Sequence, residues 1–225
     1  SHDLREQVPI DQGKISLVPM ALAPEFSKAA NLAHTRPAAD STKSYILHVG
    51  NNSFYKNRAA VVRIFAQIDF LPDLRLIMAG EPPDKALLEQ VQELSLQDRV
   101  DFIEKISDER LVQLYSGAEL LLFPSIYEGF GWPPLEAMAC GCPVVCSSEG
   151  SLPEVAGPAA LMAPAADESA LAGLCRSVLE DPAQAERMSR EGKAHAQTFT
   201  MERMAQQTMS VYTSALGLSA NQEEV

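Results

Sequence analysis

Residues 119–147 read ELLLFPSIYEGFGWPPLEAMACGCPVVCS, and this stretch decides the fold class. Its apolar run Leu120–Phe123 has no polar alternation, which is typical of a strand that is buried on both faces. A loop with two glycines follows, and then a segment with prolines near its start, which favours a helix N-terminus. Cys142–Cys146 has the pattern of a second buried strand. A strand, a helix and a second strand in this order predict a βαβ unit with parallel strands.

The same alternation extends in both directions along the chain. The predicted strands are Tyr45–Gly50, Leu74–Gly80, Arg99–Ile103, Glu119–Phe123, Cys142–Cys146 and Ala159–Met162. The predicted helices cover residues 57–70, 84–94, 107–116, 133–140, 167–180, 182–197 and 200–216. Strands and helices that alternate at this spacing predict an α/β fold, with a Rossmann-like parallel sheet flanked by helices. In such sheets ligands bind beyond the carboxyl ends of the strands.

The sheet-forming pattern covers only part of the chain, which predicts three regions. Residues 1–40 form an N-terminal extension or linker, with a candidate short strand at Ile15–Pro19 and a polar linker at 31–44. Residues 41–200 form the Rossmann-like domain. Residues 200–225 form a C-terminal helix and tail.

Composition excludes several classes of partner. Eighteen basic residues against 30 acidic ones give a net charge of −12, which argues against nucleic acid and against an anionic membrane surface as partners. No apolar stretch approaches the roughly 20 residues that a membrane span needs. The N-terminus lacks a signal-peptide pattern. We therefore expect a cytoplasmic protein without a transmembrane segment.

The spacing of Cys140, Cys142 and Cys146 fits no usual zinc pattern. These three residues and Cys175 are predicted to be free and buried, as small apolar side chains. His48 and His195 are predicted to be structural or solvated residues.

The loop after the fourth predicted strand carries the candidate functional groups. Gly129 and Gly131 let backbone N–H groups approach a ligand, and the following helix points its positive end at the same place, which predicts an anion or phosphate cradle. Glu128, in the loop, and Glu136, in the first helical turn, flank this cradle. A carboxylate can accept two hydrogen bonds from a vicinal diol of a sugar or ribose. Alternatively, Glu136 only caps the helix and Glu128 is solvated.

A dinucleotide-binding fingerprint is the competing interpretation of the same glycines. Glu149 lies at a suitable distance after Gly131, but Pro134 stands where the third glycine is required. This interpretation is therefore disfavoured.

Glu128-x7-Glu136, within FPSIYEGFGWPPLEAMACGCPVV and followed by SLPEV at 151–155, resembles the retaining glycosyltransferases of family 4, the mannosyltransferase-like group 1. These enzymes have the GT-B architecture, in which two Rossmann-like domains flank a cleft. The resemblance runs from about Lys14 to Leu216 and covers only the C-terminal, donor-binding half. It implies that the acceptor-binding domain is missing and that residues 1–40 are an extension from it.

The resemblance also implies roles for individual residues. Glu128 corresponds to the catalytic glutamate that contacts the donor sugar, and Glu136 corresponds to the glutamate that contacts the ribose. The other residues that the resemblance assigns to substrate binding in this segment are Gly129, Phe130, Gly131 and Leu135.

A basic pair near the first βα turn clamps the diphosphate in the family. Lys56 matches the family lysine, whereas Asn51 stands where an arginine is common, and whether Arg58 compensates is left open. The alternative for Lys56 is a solvated lysine at a helix start. The base of the nucleotide is expected near the turn after the third strand, from Ile103 to Ile106, where the backbone would hold it.

The expected function is therefore the donor-binding domain of a hexosyltransferase, which moves a hexose from GDP- or UDP-hexose to a glycan or lipid-linked acceptor with retention. No D-x-D triplet is present, so neither a metal nor a cofactor is expected. The alternatives are a non-catalytic nucleotide-sugar-binding module and a phosphorylase or synthase of the same architecture. Without the acceptor domain the chain alone is expected to be inactive, and that domain is expected to mediate any peripheral contact with a membrane.

Overall fold

The computed structural model describes residues 11–31 and 44–217. The strands are β1 (Tyr45–Gly50), β2 (Arg75–Gly80), β3 (Val100–Glu104), β4 (Leu120–Phe123), β5 (Val144–Ser147) and β6 (Ala160–Ala163). The helices are α1 (Pro24–Asn31), α2 (Arg58–Ala66), α3 (Lys85–Glu93), α4 (Asp108–Gly117), α5 (Trp132–Ala139), α6 (Leu152–Ala156), α7 (Glu168–Glu180), α8 (Pro182–Ala196) and α9 (Met201–Ala215). Short 3₁₀ turns lie at Gln12–Lys14, Phe54–Lys56 and Gly157–Ala159.

The six strands form one sheet in the order β3-β2-β1-β4-β5-β6, and every neighbouring pair is parallel. The predicted α/β fold, a Rossmann-like parallel sheet flanked by helices, is thereby confirmed. The strand order reverses between β1 and β4, which are neighbours although the chain reaches β4 only after β2 and β3. Parallel α/β sheets bind ligands at such a switch point, beyond the carboxyl ends of the strands.

The core explains why the strands lack polar alternation. All four residues of β4 are fully buried, and successive side chains point to opposite faces. On one face Leu120 and Leu122 join an apolar cluster with residues of α2, α3 and α7. On the other face α5 packs against α1, α4 and α8. Full burial of one such side chain stabilises the fold by about 1.5–3 kcal/mol, so polar substitutions on either face of β4 are costly.

Side-chain caps set the first residue of several helices. The Asp84 carboxylate accepts from the Leu87 N–H at 2.8 Å before α3, and the Ser107 hydroxyl accepts from the Arg110 N–H at 3.3 Å before α4. Such a cap satisfies one of the backbone donors that a helix start leaves unpaired. Ser107 is thus the N-cap residue of α4.

Two features of the N-terminal region differ from the sequence analysis. Ile15–Pro19 forms no strand, and Pro24–Asn31, which was not predicted, is helix α1. The Phe26 side chain of α1 is 2% exposed, and its ring packs edge-on against Tyr115 at 6.1 Å between centroids. This tertiary contact helps to stabilise α1, whose start also carries the local signals of Pro24 at the first helical position and Glu25 in the first turn. Most of the predicted linker (residues 32–43) and the end of the predicted tail (218–225) lie outside the described residues.

The contacts divide the described chain into two units. One unit is 24–197, which contains the whole sheet. The other consists of the described parts of 1–23 and 198–225, in which the Leu22 N–H donates to the Phe199 carbonyl at 3.0 Å. Its helix α9 is capped by the Thr200 hydroxyl, which accepts from the Arg203 N–H at 3.1 Å.

The four cysteines are free and buried, as predicted. Burial raises the pKa of the Cys140 and Cys146 thiols to about 12, which makes both thiolates scarce at neutral pH. Within 11–31 and 44–217, no helix is both long and apolar enough to span a membrane.

Glycine at position 80 is required where β2 ends beside β1. Gly80 has φ +143°, and a Cβ there would overlap the Gly50 carbonyl oxygen. We expect Gly80→Ala to lower the free energy of unfolding by more than about 1 kcal/mol, because backbone strain and the overlap with Gly50 both disfavour the native state. Urea unfolding measures the loss.

Gly173→Ala is the matched control for this substitution. Gly173 lies inside α7, and a Cβ there meets no atom within 4 Å. Alanine should therefore stabilise the fold by roughly 0.5–1 kcal/mol through its higher helix propensity. If both substitutions change the free energy of unfolding equally, the close contact between the Gly50 and Gly80 backbones does not require glycine at position 80.

Candidate functional site

An ion pair joins the loops after β1 and β4 at the switch point. Lys56 ends the 3₁₀ turn after β1, and Glu128 lies in the loop after β4. The Lys56 ammonium lies 2.7 Å from Glu128 Oε1, and the side chains are only 13% and 8% exposed. Lys56 Nζ also lies 4.9 Å from the centre of the Phe123 ring. Neither residue is solvated, so both solvated alternatives considered from the sequence are wrong.

Two further hydrogen bonds hold the same loops together. The Ile126 N–H donates to the Tyr55 carbonyl at 2.7 Å. The Asn57 side-chain amide donates to the Pro124 carbonyl at 3.0 Å. The loops after β1 and β4 therefore form one surface although their sequences are about 70 residues apart.

The glycine loop leads directly from Glu128 into helix α5. Gly129 is exposed, and a Cβ there would meet no atom within 4 Å. Gly131 has φ +101° at the N-cap of α5, where a Cβ would come within 2.8 Å of the Leu152 side chain. Pro133 and Pro134, the second and third residues of α5, have no N–H to donate. The N–H groups at this helix end therefore belong mainly to residues 129–132.

Ser151, just before α6, holds the glycine loop through hydrogen bonds to its backbone carbonyl groups. Its hydroxyl lies 2.7 Å from the Phe130 carbonyl oxygen and 3.0 Å from that of Glu128. Its N–H also donates to the Glu128 carbonyl at 3.3 Å. Ser151 belongs to the SLPEV segment, but its role as a support of the glycine loop was not predicted from the sequence.

Glu136 lies one turn further along α5 and has a different environment. The fully buried Tyr115 donates its O–H to Glu136 Oε2 at 2.9 Å. Burial raises the pKa of the Glu136 carboxyl to about 7, and the Tyr115 bond and the Lys56 charge oppose this shift. Gly131 is the N-cap residue of α5, and Glu136 is the fifth residue of the helix. The alternative that Glu136 caps α5, and its placement in the first turn, are therefore wrong.

The other predicted site residues lie around this centre. Asn51 directly follows β1, and its Oδ1 accepts from the Ser53 N–H at 3.1 Å. Ile103 is half-buried within β3 beside Ala79, so the turn that was expected to hold the base begins after it, beyond Glu104.

Two apolar residues of the glycine segment contribute in different ways. The half-buried Phe130 ring lies 4.6 Å from the Trp132 ring, centre to centre. Leu135 is fully buried, so its side chain belongs to the core and a ligand could meet only its backbone.

His48 and Arg58 are buried beside the first βα turn. His48 Nδ1 lies 3.0 Å from the Leu122 carbonyl oxygen and carries the hydrogen of this bond. Burial is the main cause that lowers the pKa of His48 to about 4, and the charges of Arg58 and Lys56 lower it further. His48 is therefore neutral at pH 7, consistent with the predicted structural role. Arg58 donates to Asn52, and burial lowers its pKa while Asp84 and Glu81 raise it.

Within the described ranges 11–31 and 44–217, no group of three or more His, Cys, Asp or Glu side chains could hold a metal ion. The geometry thus brings together Lys56, Glu128 and the glycine loop, with Glu136 close behind them. Fold and site define a class, the Rossmann-like α/β domains whose polar groups gather at the switch point.

Comparison with known proteins identifies the family within this class. Residues 31–195 match the family model described as Glycosyl transferases group 1. The chain therefore belongs to the group 1 glycosyl transferases.

The chain is also similar to individual proteins and solved structures. O-antigen chain mannosyltransferase B of Escherichia coli is 34% identical over 174 residues, which are 76% of this chain and 46% of that protein. Sucrose-phosphate synthase from Thermosynechococcus elongatus is 30% identical with a TM-score of 0.76, over 97% of this chain and 56% of that chain. Anabaena Alr3699/HepE, solved in complex with UDP and glucose, is 24% identical with a TM-score of 0.71, over 85% of this chain and 53% of that chain. The chain thus spans about half the length of these relatives.

Glu136 should make stability depend on pH. Its folded pKa of about 7 lies above the ordinary 4.5, so ionisation disfavours the folded state, and stability is lost as the pH rises from about 4.5 through 7. Glu136→Gln removes this loss and can still accept from Tyr115. We expect the melting temperature of Glu136→Gln, relative to the wild type, to be higher at pH 8 than at pH 5. Exposed Glu191→Gln on α8 is the control, and a pH-independent difference would contradict the prediction.

The Lys56–Glu128 pair should behave as one unit in unfolding. Lys56→Met or Glu128→Gln leaves a buried charge without its partner and should destabilise by roughly 1–3 kcal/mol. The double variant should lose less than the sum of the two, because no charge is left unpaired. Urea unfolding of the four proteins measures this coupling.

The exposed pair Lys85–Glu89, 3.4 Å apart, is the matched control for this cycle. Its coupling should be no more than about 0.5 kcal/mol, because solvent screens an exposed i,i+4 pair. Simple additivity at Lys56 and Glu128 would contradict the assignment of a coupled buried pair.

Proposed function

We propose that the chain is the donor-binding half of a retaining family 4 glycosyltransferase, which transfers a hexose from a nucleotide-sugar to a glycan or lipid-linked acceptor. The observation that carries this proposal is the buried Lys56–Glu128 pair beside the glycine loop at the switch point. It supports the proposal because a lysine for the diphosphate and a carboxylate for the sugar are needed side by side.

Binding exchanges the partners of this ion pair. Lys56 takes a phosphate oxygen, and Glu128 becomes free to accept from a sugar hydroxyl. The amides of Gly129–Gly131 add donors for the diphosphate. As the bond to the sugar breaks, the negative charge that develops on the departing diphosphate is stabilised by Lys56 and these amides. The proposal includes neither a metal ion nor another cofactor.

Glu136 has one carboxylate oxygen engaged and a second one for the ribose. Tyr115 donates to Oε2, so the ribose hydroxyls are assigned to Oε1. A hydroxyl that donates to a carboxylate favours the ionised form, so nucleotide binding lowers the pKa of Glu136 and releases a proton where the free site is protonated. Affinity therefore rises with pH through about 7.

Two of the similar proteins support a nucleotide-hexose as the donor. HepE was solved with UDP and glucose, and the E. coli relative is named a mannosyltransferase. We propose a UDP- or GDP-hexose as the donor. The rest of the enzyme supplies the acceptor site, so this chain alone binds the donor without transferring it.

A synthase of the same architecture is the second candidate, favoured by the similarity to sucrose-phosphate synthase. Assays of the full-length protein separate the two. Transfer to a free sugar phosphate favours the synthase, and transfer to a glycan or lipid-linked acceptor favours the first proposal.

Thermal-shift measurements with UDP-, GDP- and ADP-hexoses test donor binding. A ligand at 100 times its dissociation constant stabilises the protein by about 2.7 kcal/mol. The ligand that raises the melting temperature, and fails to do so for Lys56→Ala, identifies the donor. No shift with any nucleotide up to millimolar concentration would overturn the proposed function.

The two glutamates should affect different ligands. At pH 8, where Glu136 is ionised, Glu136→Gln should weaken both the nucleoside diphosphate and the nucleotide-sugar by about ten- to a hundredfold. Glu128→Gln should weaken mainly the nucleotide-sugar, because its partner in the complex is the sugar. Titration calorimetry with both ligands measures this. If Glu128→Gln weakens the bare diphosphate as much as Glu136→Gln does, the two roles are assigned wrongly.

A further inference from the structure

Asn52, an exposed residue of the loop that carries Lys56, is the centre of a hydrogen-bond network. Its backbone N–H donates to Glu81 Oε2 at 2.9 Å, and its side-chain amide donates to the Pro82 carbonyl at 2.9 Å. Its Oδ1 accepts from the Arg58 guanidinium. Glu81 and Pro82 follow β2, and Arg58 begins α2. Asn52 therefore ties the loop after β1 to the loop after β2 and to a helix start.

The Arg58 guanidinium is unusual because it is a buried charge. Arg58 is only 7% exposed, and within the described residues its Nε and Nη2 have no hydrogen-bond partner. Glu81 and Asp84 lie close enough to raise its pKa, whereas burial lowers it. Burying a guanidinium with so few bonds costs free energy. The bond that its Nη1 does make is to Asn52, so the cost is incurred at this junction.

Short-range hydrogen bonds order the residues between Asn52 and Lys56. The Ser53 N–H donates to Asn51 Oδ1 at 3.1 Å, and the Lys56 N–H donates to the Ser53 carbonyl at 2.9 Å. Ser53, which lies between Asn52 and Lys56, is therefore held by hydrogen bonds through both its N–H and its carbonyl group. The Lys56 ammonium lies against Glu128.

We propose that Asn52, held by Arg58 and Glu81, is a positioning residue that keeps the Lys56 ammonium at the switch point. Asn52 acts through Lys56 and does not touch the ligand. This inference rests on the proposed function, since it concerns the residue that would hold the diphosphate. It also gives Arg58 a role other than that of a second phosphate ligand in place of an arginine at 51.

Calorimetry with a diphosphate and its nucleoside tests the proposal on this chain. The probes are UDP with uridine and GDP with guanosine. Asn52→Ala should weaken the diphosphate that binds by about tenfold and leave its nucleoside within twofold. Arg58→Met, which removes the guanidinium bonded to Asn52, should show the same selectivity. Arg63→Met is the matched control, because Arg63 also lies on α2 but pairs with Glu168 at the surface.

A double variant decides whether Asn52 acts through Lys56. If it does, Asn52→Ala/Lys56→Ala binds the diphosphate within twofold of Lys56→Ala alone, because the positioned group is already absent. Multiplied losses in the double variant would overturn the proposal. Equal losses of diphosphate and nucleoside in Asn52→Ala would also overturn it, since they indicate general support of the fold.

Amide hydrogen exchange of the ligand-free protein supplies a readout that needs no nucleotide. Asn52→Ala should raise the exchange rates of the backbone amides at positions 52 and 56 at least tenfold. Arg63→Met should leave both rates unchanged. Unchanged exchange in Asn52→Ala would overturn the proposal even if every variant binds. If the wild type binds neither diphosphate, the proposed function fails, whereas the exchange rates still decide whether Asn52 holds this loop.

Discussion

The buried ion pair between Lys56 and Glu128 is the constraint on which the rest of the site depends. It lies where the strand order reverses, so it joins two halves of the sheet that the chain builds separately. A buried charge without its partner is costly, and each side chain therefore restricts the position of the other. In the proposed complex a diphosphate, which brings more negative charge, replaces Glu128 as the partner of Lys56. The site without a ligand is thus internally neutralised, and in the proposed complex a sugar hydroxyl has to satisfy the Glu128 carboxylate that Lys56 releases.

The two glutamates show how the fold gives one residue type two properties. Glu128 lies 2.7 Å from an ammonium group and forms an ion pair with it. Glu136 faces a tyrosine hydroxyl in a buried position, and its pKa rises to about 7. Glu128 is held by an ion pair, whereas Glu136 is about half protonated near pH 7. Affinity that depends on Glu136 is therefore sensitive to pH, whereas the ion pair is sensitive to competing anions.

The sequence predicted the features that repeat along the chain and missed those that depend on a single distant contact. β1 and β4 were recognisable because strands buried on both faces lose their polar alternation. Helix α1 was missed because it lies before the alternating pattern and its burial, including Phe26 against Tyr115, depends on tertiary contacts. Lys56 and Glu128 were each predicted, but their direct contact was not, since the strand order was not read from the sequence. Nothing near Tyr115 in the sequence indicates that its hydroxyl meets Glu136.

Contacts between loops, rather than the strands themselves, fix the geometry of the site. Asn52 joins the loops after β1 and β2, Lys56 joins those after β1 and β4, and Ser151 joins the glycine loop to the start of α6. The strands of a parallel sheet fix where each βα loop begins but not its conformation, because loops are more variable than the elements they connect. This chain of polar contacts removes that freedom across the carboxyl edge. A substitution at either end of it therefore alters the position of Lys56 or Glu128 while leaving the apolar core of the sheet intact.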